Sequence, residues 1–485
     1  MLWVLVLVLS SGAPSAAGTG AKLPQRVIAA MRRAATFYRN HVATHGGYVY
    51  YYSVDLQQRW GEGRATPSQI WVQPPGTPTV GMAYLAAYEA TGDPFYLEAA
   101  REAAEALVYG QLESGGWTNS IDFDPDGRVA RYRRGRGRGK NNSSLDDGQT
   151  PAAIRLLARA DKALAFRHAE IHEAAQAALE ALLAAQFPNG AFPQVWTGAV
   201  EAQPIVKAGY PEYDWRREGR IKNYWDLYTL NDNVTGYVTA ALIDAHRIYA
   251  DQRYLESLRR LGDFLVLAQM PDPQPAWAPQ YNYAMRPVWA RKFEPPAIAG
   301  RESQQAIETL LEIFRITGDQ RYLEPIPRAL AYLKRSLLPD GRLARYYELR
   351  SNRPLYTHRR GDTYTLTYDD EDLPKYYDWK VESRLEALSA QYSQVRYGLE
   401  PKDDRPSRAE LEQKVRAIID DLGERGRWVS VYRGERLVGQ PKFQRHYRYI
   451  ASAVFARNLE MLSDYLIATT GSLGGAAKEP RSTAR

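Results

Sequence analysis

The sequence of 485 residues contains no cysteine. Disulfide bonds, thiolate nucleophiles and cysteine-ligated zinc are therefore excluded. The seven histidines are scattered along the chain, and no HExxH or similar pair occurs, so a zinc site is not expected. No apolar run beyond the N-terminus approaches the roughly eighteen residues that a membrane-spanning helix needs. We therefore expect the mature protein to be soluble, without contact to a membrane.

The two ends of the chain differ in character from the rest. Residues 1–17 predict a secretory signal peptide, because the apolar run Leu2–Leu9 is too short to cross a bilayer and Ser15-Ala16-Ala17 offers a small-residue cleavage site. We therefore expect a secreted or periplasmic protein. Residues 473–485 are small and polar and predict a disordered tail. Residues 22–472 are interpreted as one catalytic domain.

The charge balance is mildly basic, and aromatic residues are abundant. Lysine and arginine number 63 against 56 acidic residues, which gives a net charge of +7. Such a surplus suits an acidic substrate as well as nucleic acid, but no nucleic-acid-binding module is recognisable. The chain has 34 tyrosines and 11 tryptophans, whose rings stack on sugars while their polar tips donate hydrogen bonds. This composition favours a carbohydrate ligand.

Helical patterns follow one another along the chain and are joined by a recurring turn. The turn contains Gly92-Asp93, returns as Ala250-Asp251 and again as Gly318-Asp319. A residue that ends one helix followed by an aspartate that caps the next is typical of a helical hairpin. A short Gly/Pro and aromatic segment follows each hairpin. The pattern predicts an all-α (α/α) toroid, complete or incomplete, with short aromatic strands or loops at the mouth of the site.

Two segments are unusually basic. Arg128–Lys140 is rich in arginine and glycine and predicts a mobile surface loop, with a flap over an anionic substrate as the alternative. Arg345–Asp362 contains five arginines, a histidine and several tyrosines, without helical or clean strand periodicity. This composition suits the lining of a site for polyanions or sugars, whereas a solvated basic loop is the alternative.

Side-chain oxygens precede two of the predicted helices at equivalent corners. Asp146 and Asp147 stand ahead of one helix, and Asp232 and Asn233 ahead of a helix in the next hairpin. Helix capping explains either corner alone. Equivalent corners of neighbouring hairpins would converge at the mouth of a toroid, however, and hard oxygen ligands of this kind suit calcium.

Six segments occur in the same order as motifs of a known family. They are Gly115-Gly116-Trp117-Thr118-Asn119, Leu145–Thr150, Gln186–Gln194, Leu230–Asn233, Trp289–Pro296 and Arg345–Tyr356. In these segments the chain resembles the pectate lyases of polysaccharide lyase family ten, the pectic acid lyase family. The resemblance implies an incomplete (α/α) toroid that cleaves polygalacturonate by β-elimination, with calcium as cofactor and an arginine as base.

Roles follow from this resemblance, position by position. It implies Arg359 as the catalytic base and Asp146 and Asp232 as the metal site. It also implies a set of substrate-binding residues, namely Arg291, Arg345, Trp289, Asn233 and Asp147. The expected partner is an acidic polysaccharide, with no nucleic acid, and we expect a monomer.

The reaction explains these residue types. β-Elimination removes the C5 proton, which is α to the uronate carboxylate, and expels the 4-oxygen. Negative charge builds on the carboxylate, so calcium and arginine both stabilise it. Arginine is normally protonated, so the alternative is that Arg345 and Arg359 only bind substrate and another group is the base. Arg360 is a further candidate for the base.

The chain also departs from the family pattern. Asp147 replaces an asparagine, and Arg360 stands where the family tends to have an acidic residue. Insertions at residues 128–140, 204–220 and 363–379 lie near the expected site. Two other functions stay open. One is a glycoside hydrolase that uses Asp146 and Asp232 as its carboxylate pair, and the other is a non-catalytic uronate-binding homologue.

Overall fold

The computed structural model describes residues 22–127, 130–135, 137–216, 223–399 and 407–470. The predicted signal peptide and the predicted tail lie outside these residues. Among the described helices, none combines the length and the apolar character of a membrane span.

Twelve α-helices within the described residues form two layers. The outer layer consists of α1 (Leu23–Phe37), α3 (Pro94–Tyr109), α5 (Ala169–Ala184), α7 (Gln252–Ala268), α9 (Ile326–Arg335) and α11 (Arg408–Asp420). The inner layer consists of α2 (Thr77–Thr91), α4 (Gln149–Ala163), α6 (Val234–Tyr249), α8 (Gly300–Thr317), α10 (Leu385–Tyr397) and α12 (Ser452–Thr470). The predicted (α/α) toroid is confirmed.

The inner helices pack side by side in the order α12, α2, α4, α6, α8 and α10. Helix α1 packs on α11 and α12, so the first helix supplies the outer partner of the last one. Helices enclosed by neighbours are apolar on most sides, and in α2 both Tyr84 and Leu85 are buried. Close approach also requires small residues. A Cβ atom at Gly81 of α2 would lie 2.5 Å from Leu156 of α4.

Sixteen short strands of the described residues connect the hairpins at the end where the inner helices begin. They are β1 (Tyr51–Ser53), β2 (Arg59–Trp60), β3 (Gln69–Trp71), β4 (Ser120–Asp122), β5 (Ser143–Ser144), β6 (Val195–Trp196), β7 (Tyr228–Thr229), β8 (Gln280–Tyr281), β9 (Ala297–Ala299), β10 (Leu343–Ala344), β11 (Tyr346–Glu348), β12 (Pro354–Arg360), β13 (Thr363–Thr367), β14 (Lys380–Val381), β15 (Ser430–Val431) and β16 (Arg448–Ala451). These strands lie within or directly next to the aromatic segments predicted for the mouth.

Antiparallel pairing of these strands joins each hairpin to the next. The sheets have the orders β15-β16-β1-β2, β3-β4, β5-β6, β7-β8, β13-β12-β11-β9 and β10-β14. Side chains make the remaining connection, because Arg436 pairs with Asp378 and also donates to the carbonyl of Tyr376 at 2.6 Å. This contact connects the segment before α10 with the segment before α12.

The predicted hairpin turns are confirmed. Gly92 ends α2 in the left-handed conformation, with φ of 68°, and the Asp93 carboxylate accepts a hydrogen bond from the backbone of Phe95. Glycine adopts this φ without steric cost. The turn at Gly318 repeats the arrangement, with Asp319 accepting from the backbone of Arg321.

Hydroxyl groups near the starts of inner helices fix the aromatic segments. Thr150 accepts a hydrogen bond from the backbone N–H of Trp117 at 2.9 Å and donates to its carbonyl at 3.1 Å. Ser303 makes the same pair of bonds to Trp277. These hydrogen bonds connect each inner helix to the segment that follows the preceding hairpin.

The described part of the basic segment at residues 128–140 lies against the outer layer. Tyr132 is buried, and Arg133 and Arg134 form ion pairs with Glu173 and Glu170 of α5. These contacts attach the segment to the outside of the ring.

Candidate active site

The site begins with two corners of similar sequence that share one backbone conformation. Leu145–Thr150 enters α4 and Leu230–Thr235 enters α6. Asp147 has φ of 45° and Asp232 has φ of 53°, a conformation that is uncommon for residues other than glycine. Each corner is held by its leucine, whose N–H donates to a carbonyl in the segment that follows the same hairpin, Gln194 for Leu145 and Pro279 for Leu230. The two corners contact each other.

This conformation brings three carboxylates together. One ligand oxygen from each of Asp146, Asp147 and Asp232 lies within 4.8 Å of the other two. Three anions at this separation repel one another strongly. The cluster is therefore suited to a cation, and the predicted convergence of the two corners is confirmed.

Arg291 is the guanidinium that faces this cluster. Its Nη2 donates to Asp232 Oδ2 at 2.9 Å and lies 3.4 Å from Asp146 Oδ1. Its Nη1 donates to Glu294 at 2.9 Å, and the backbone N–H of Arg291 donates to the same carboxylate at 3.1 Å. Glu294 is fully buried, so it fixes Arg291 from the side opposite to the aspartates.

The three aspartates have different protonation behaviour. Burial and the neighbouring charge of Asp232 raise the pKa of Asp146 well above its ordinary range, although Arg291 opposes this. Burial and Asp232 also raise the pKa of Asp147, to about 6. Burial acts in the same direction on Asp232, but Arg291 and hydrogen bonds from Asp146 and Arg291 lower the pKa of Asp232 to about 2. The pKa values of Asp146 and Asp232 are therefore displaced in opposite directions.

Arg345 occupies a different position from the one predicted. Its side chain is 1% exposed and donates to the equally buried Glu302 at 2.7 Å. It also lies 3.3 Å from Asn231 Oδ1. A guanidinium enclosed in this way contacts no polymer. Loss of Arg345 would leave Glu302 as an unpaired buried charge. Arg345 also contacts Asn231, the residue before Asp232, and so stabilises this corner.

Tyr377 connects the two buried ion pairs. Its hydroxyl donates to Glu294 at 3.0 Å and lies 2.6 Å from the hydroxyl of Tyr346. The Arg345 guanidinium lies 4.9 Å from the Tyr377 ring centroid, within cation–π range. Tyr377 comes from the insertion at residues 363–379, so that insertion does reach the site.

Amide side chains complete the surroundings of the aspartates. Gln194 donates to Asp232 at 2.8 Å. Gln73 donates to both Asp147 and Glu62, at 3.1 Å each. Gln194 and Glu294 lie inside motifs that resemble the family, so the sequence could have identified them as residues of the site. Gln73 and Tyr377 come from distant segments that carry no such signal, and the sequence interpretation missed them.

Two predicted substrate-binding residues, Trp289 and Asn233, make no side-chain hydrogen bond to the cluster within the described structure. Trp289 is 6% exposed and donates from its indole N–H to the carbonyl of Trp215 at 2.7 Å. Its ring lines a cavity next to the site. Asn233 has φ of 58°, and its side chain lies over the first turn of α6 beside Gly236.

Arg359, the predicted base, lies near the end of β12. Its Nε donates to the carbonyl of Gly361 at 2.7 Å, and its side chain is 42% exposed. The rings of Tyr364 and Tyr376 lie 5.5 and 5.6 Å from the guanidinium carbon. Phe293 contacts both rings. Arg359 is thus connected to the Arg291 loop through aromatic contacts.

The donor set fits a calcium ion. Calcium binds oxygen ligands at about 2.3–2.6 Å, so two ligands on opposite sides of one ion are roughly 5 Å apart. The separations of 4.8 Å or less in the aspartate cluster agree with this. Asp146 and Asp147, with their raised pKa values, are the residues whose ionised forms a cation would stabilise most.

Both corners, Gln194 and Arg291 lie within one continuous stretch of the chain. Residues 111–314 match the family model of pectic acid lyase. The resemblance seen in the motifs is thereby confirmed for this segment. Five of the six motifs fall inside it, whereas Arg345–Tyr356 lies beyond its end.

Solved structures are similar to this chain at low identity. The family 10 polysaccharide lyase from Cellvibrio cellulosa is 19% identical, with 66% of this chain and 97% of that chain covered and a TM-score of 0.46. A mutant of that enzyme in complex with trigalaturonic acid is 18% identical, with 65% and 97% covered and a TM-score of 0.46. Cellobiose 2-epimerase from Spirochaeta thermophila is 14% identical, with 92% and 98% covered and a TM-score of 0.45. Curated proteins give no significant match.

Proposed function

We propose that this protein is a polysaccharide lyase that cleaves polygalacturonate by calcium-assisted β-elimination. The observation that carries the proposal is the cluster of Asp146, Asp147 and Asp232 facing Arg291, within the segment that matches the pectic acid lyase family. We further propose that the protein is exported by means of residues 1–17, which lie outside the described structure.

Asp146, Asp147 and Asp232 would hold the calcium ion. When bound, calcium would stabilise the negative charge that develops on the uronate carboxylate. Gln73 and Gln194 hold two of these aspartates in place, through hydrogen bonds to Asp147 and Asp232.

Arg291 is the residue best placed to bind the carboxylate of the sugar that loses its proton. Glu294 holds one side of its guanidinium, while Nη2 is shared between two aspartates. A positively charged guanidinium stabilises the enolate-like charge more strongly than it stabilises the ground-state carboxylate, and this difference lowers the barrier.

The proton is removed at C5, and Arg359 remains the proposed base. Its guanidinium lies beside two tyrosine rings and 3.7 Å from the Asp362 carboxylate. These contacts support the alternative that Arg359 binds a second uronate carboxylate. The substitution Arg359→Lys separates the two roles, because lysine keeps the positive charge.

The same cluster favours elimination over hydrolysis. A glycoside hydrolase needs its two carboxyl groups about 5–9.5 Å apart, with a sugar or water between them. The ligand oxygens of Asp146 and Asp232 are closer than this, and Arg291 occupies the space beside both. A shared cation explains this spacing, whereas a pair of independent acid and base groups does not.

The test is ultraviolet absorbance of the unsaturated uronate product, measured on polygalacturonate at alkaline pH with calcium and with a chelator. The proposal expects calcium-dependent growth of absorbance. Arg359→Lys should lower kcat strongly if Arg359 is the base, but mainly raise KM if it binds a carboxylate. Reducing ends without absorbance would establish a hydrolase, and polymer binding without cleavage would establish a non-catalytic homologue.

A further inference from the structure

A tight turn between β2 and β3 carries a further carboxylate to the first corner of the site. The backbone N–H of Gly61 donates to the carbonyl of Gly63 at 2.9 Å, which leaves Glu62 at the tip of the turn. The turn is enclosed on both sides. A Cβ atom at Gly61 would lie 2.1 Å from the Trp71 ring, and one at Gly439 would lie 2.9 Å from Cα of Glu62. These close contacts fix the position of Glu62.

Glu62 and Asp147 share one amide group. Nε2 of Gln73 donates to Glu62 Oε1 and to Asp147 Oδ2, at 3.1 Å each. The other oxygen of Glu62 lies 3.3 Å from Nδ2 of Asn119. The two carboxylates therefore face each other across a neutral group.

This pair of carboxylates has no cationic partner. Among the residues that the structure describes, neither Glu62 nor Asp147 forms an ion pair, whereas the other two aspartates of the cluster pair with Arg291. Burial and nearby carboxylates raise the pKa of Asp147, and the charge of Arg301 opposes this without an ion pair. Glu62 is exposed, so a cation from solution can reach the pair. Two carboxylates held close together are stabilised by a cation that contacts both.

Two buried polar atoms beside this pair have no hydrogen-bond partner among the described residues. One is Oε1 of Gln149, although Nε2 of the same amide donates to Gln73 at 3.2 Å. The other is the hydroxyl of Tyr50, whose side chain is fully buried. Burial raises the pKa of this hydroxyl, and the charges of Glu62 and Asp147 raise it further, so it lies near both carboxylates. A bound ion with its water explains such unpaired atoms.

The amide of Gln73 can present either its nitrogen or its oxygen to the two carboxylates. At present Nε2 faces both of them, and Oε1 accepts from Gln149. If both amides reverse, Oε1 of Gln73 joins the carboxylates as an oxygen ligand, and Oε1 of Gln149 accepts from Gln73. The buried oxygen that lacks a partner then has one, and the three oxygen groups together suit a hard cation.

We propose that Glu62, Asp147 and Gln73 form a second cation site, which binds a calcium-like divalent ion beside the ion of the aspartate cluster. The two ions would share Asp147. Calcium takes about six to eight oxygen ligands, so water would supply the others, and the Tyr50 hydroxyl would bind one of these waters. The inference rests on the proposed function in that the shared Asp147 belongs to its calcium cluster. A second ion would neutralise the corner that forms no ion pair through Asp147.

The test counts bound ions without measuring cleavage. Calorimetric titration of the full chain with calcium gives the number of ions and the affinity of each. Terbium(III), which replaces calcium at oxygen sites and emits when a neighbouring aromatic ring is excited, reports an ion close to Trp71. The variants are Glu62→Gln, Tyr50→Phe and Asp232→Asn. The matched control is Glu386→Gln, which alters an exposed glutamate of α10 that has no ion pair in the described chain. Thermal unfolding checks that each variant is folded.

We expect the wild type and the control to bind two calcium ions per chain. Glu62→Gln should weaken one of them at least about tenfold, with lower terbium emission, and keep the other. Tyr50→Phe should weaken the same ion by a smaller factor. Asp232→Asn should have the reverse effect, because it weakens only the ion of the aspartate cluster. A single ion in the wild type would overturn the second site, and so would two ions that Glu62→Gln leaves unchanged in number and affinity.

Failure of the proposed function gives a different result. If the wild type binds two ions, Glu62→Gln weakens one of them, and polygalacturonate yields no unsaturated product, the lyase proposal fails and the second cation site stands. If the wild type forms this product with calcium but binds a single ion, the lyase proposal stands and the second site is rejected.

Discussion

The corners that carry Asp147 and Asp232 have nearly the same backbone but opposite electrostatics. Both aspartates have positive φ and precede an inner helix. Yet the pKa of Asp147 is raised to about 6, whereas that of Asp232 is lowered to about 2. The difference comes from their partners, since Asp232 accepts from the charged Arg291, whereas Asp147 accepts from the neutral amide of Gln73.

The residue before each of these aspartates increases the difference in charge between the two corners. Asp146 adds a second carboxylate to the first corner, whereas Asn231 places an amide at the equivalent position and faces Arg345. One corner therefore accumulates negative charge while the other is neutralised by arginines from later hairpins. A cation in the cluster would act most strongly on the first corner, so the two corners are expected to respond differently to substitution.

The largest effect is expected when the shared arginine is removed. Arg291→Ala leaves the aspartates without their counter-charge and the substrate carboxylate without its proposed partner. We expect kcat/KM on polygalacturonate to fall about a thousandfold, the upper end of the range for the loss of one preorganised donor. Product absorbance measures it, with the exposed Arg321→Ala as control. A loss of less than tenfold would show that Arg291 does not act in the reaction.

Substituting each aspartate separately tests the comparison directly. Asp232→Asn removes the carboxylate that Arg291 contacts most closely, and we expect about a hundredfold loss of activity with weaker calcium binding. Asp147→Asn leaves that ion pair intact, and we expect a loss of about tenfold. Steady-state rates and calcium titration calorimetry on both variants provide the measurement. If Asp147→Asn is the more damaging variant, the assignment of the two corners is reversed.

Calcium affinity is expected to depend on pH through Asp147. Its pKa of about 6 means that the folded protein binds a proton there below this pH, and the proton competes with the ion. Affinity should therefore fall as pH decreases through about 6. In the calcium-free protein the raised pKa of Asp147 has the opposite effect on stability. The free energy of unfolding falls as pH rises, because ionisation of this buried carboxyl destabilises the fold. Calorimetry between pH 5 and about 8 tests this, and Asp147→Asn should flatten the profile; an unchanged slope in that variant would exclude Asp147 as its source.

The smallest effect is expected at the residue that supports Arg291 indirectly. Tyr377→Phe removes one hydrogen bond to the buried Glu294 but keeps the ring beside Arg345. We expect a two- to fivefold fall in kcat and a loss of about 1 kcal/mol in the free energy of unfolding. Denaturant unfolding and product absorbance measure the two effects. A loss as large as that of Arg291→Ala would mean that Tyr377 contacts the substrate itself.

The sequence by itself determined the helical hairpins, their Gly-Asp turns and the two carboxylate corners. Helix periodicity and capping depend on residues within a few positions of one another, so Asp93 and Asp319 could be identified as caps without a structure. The convergence of Asp146 with Asp232 followed because equivalent corners of a toroid lie at one end.

The tertiary structure alone decided which charges meet. Arg291 contacts Asp232 and Asp146 across 59 and 145 positions of sequence, and Tyr377 reaches Glu294 from an insertion. Arg345 appeared in the sequence as a free cation, yet it is buried against Glu302. The contact of Arg436 with Asp378 likewise joins distant segments. Electrostatic interactions depend on distance in space and on burial, and neither quantity is contained in the local pattern of the chain.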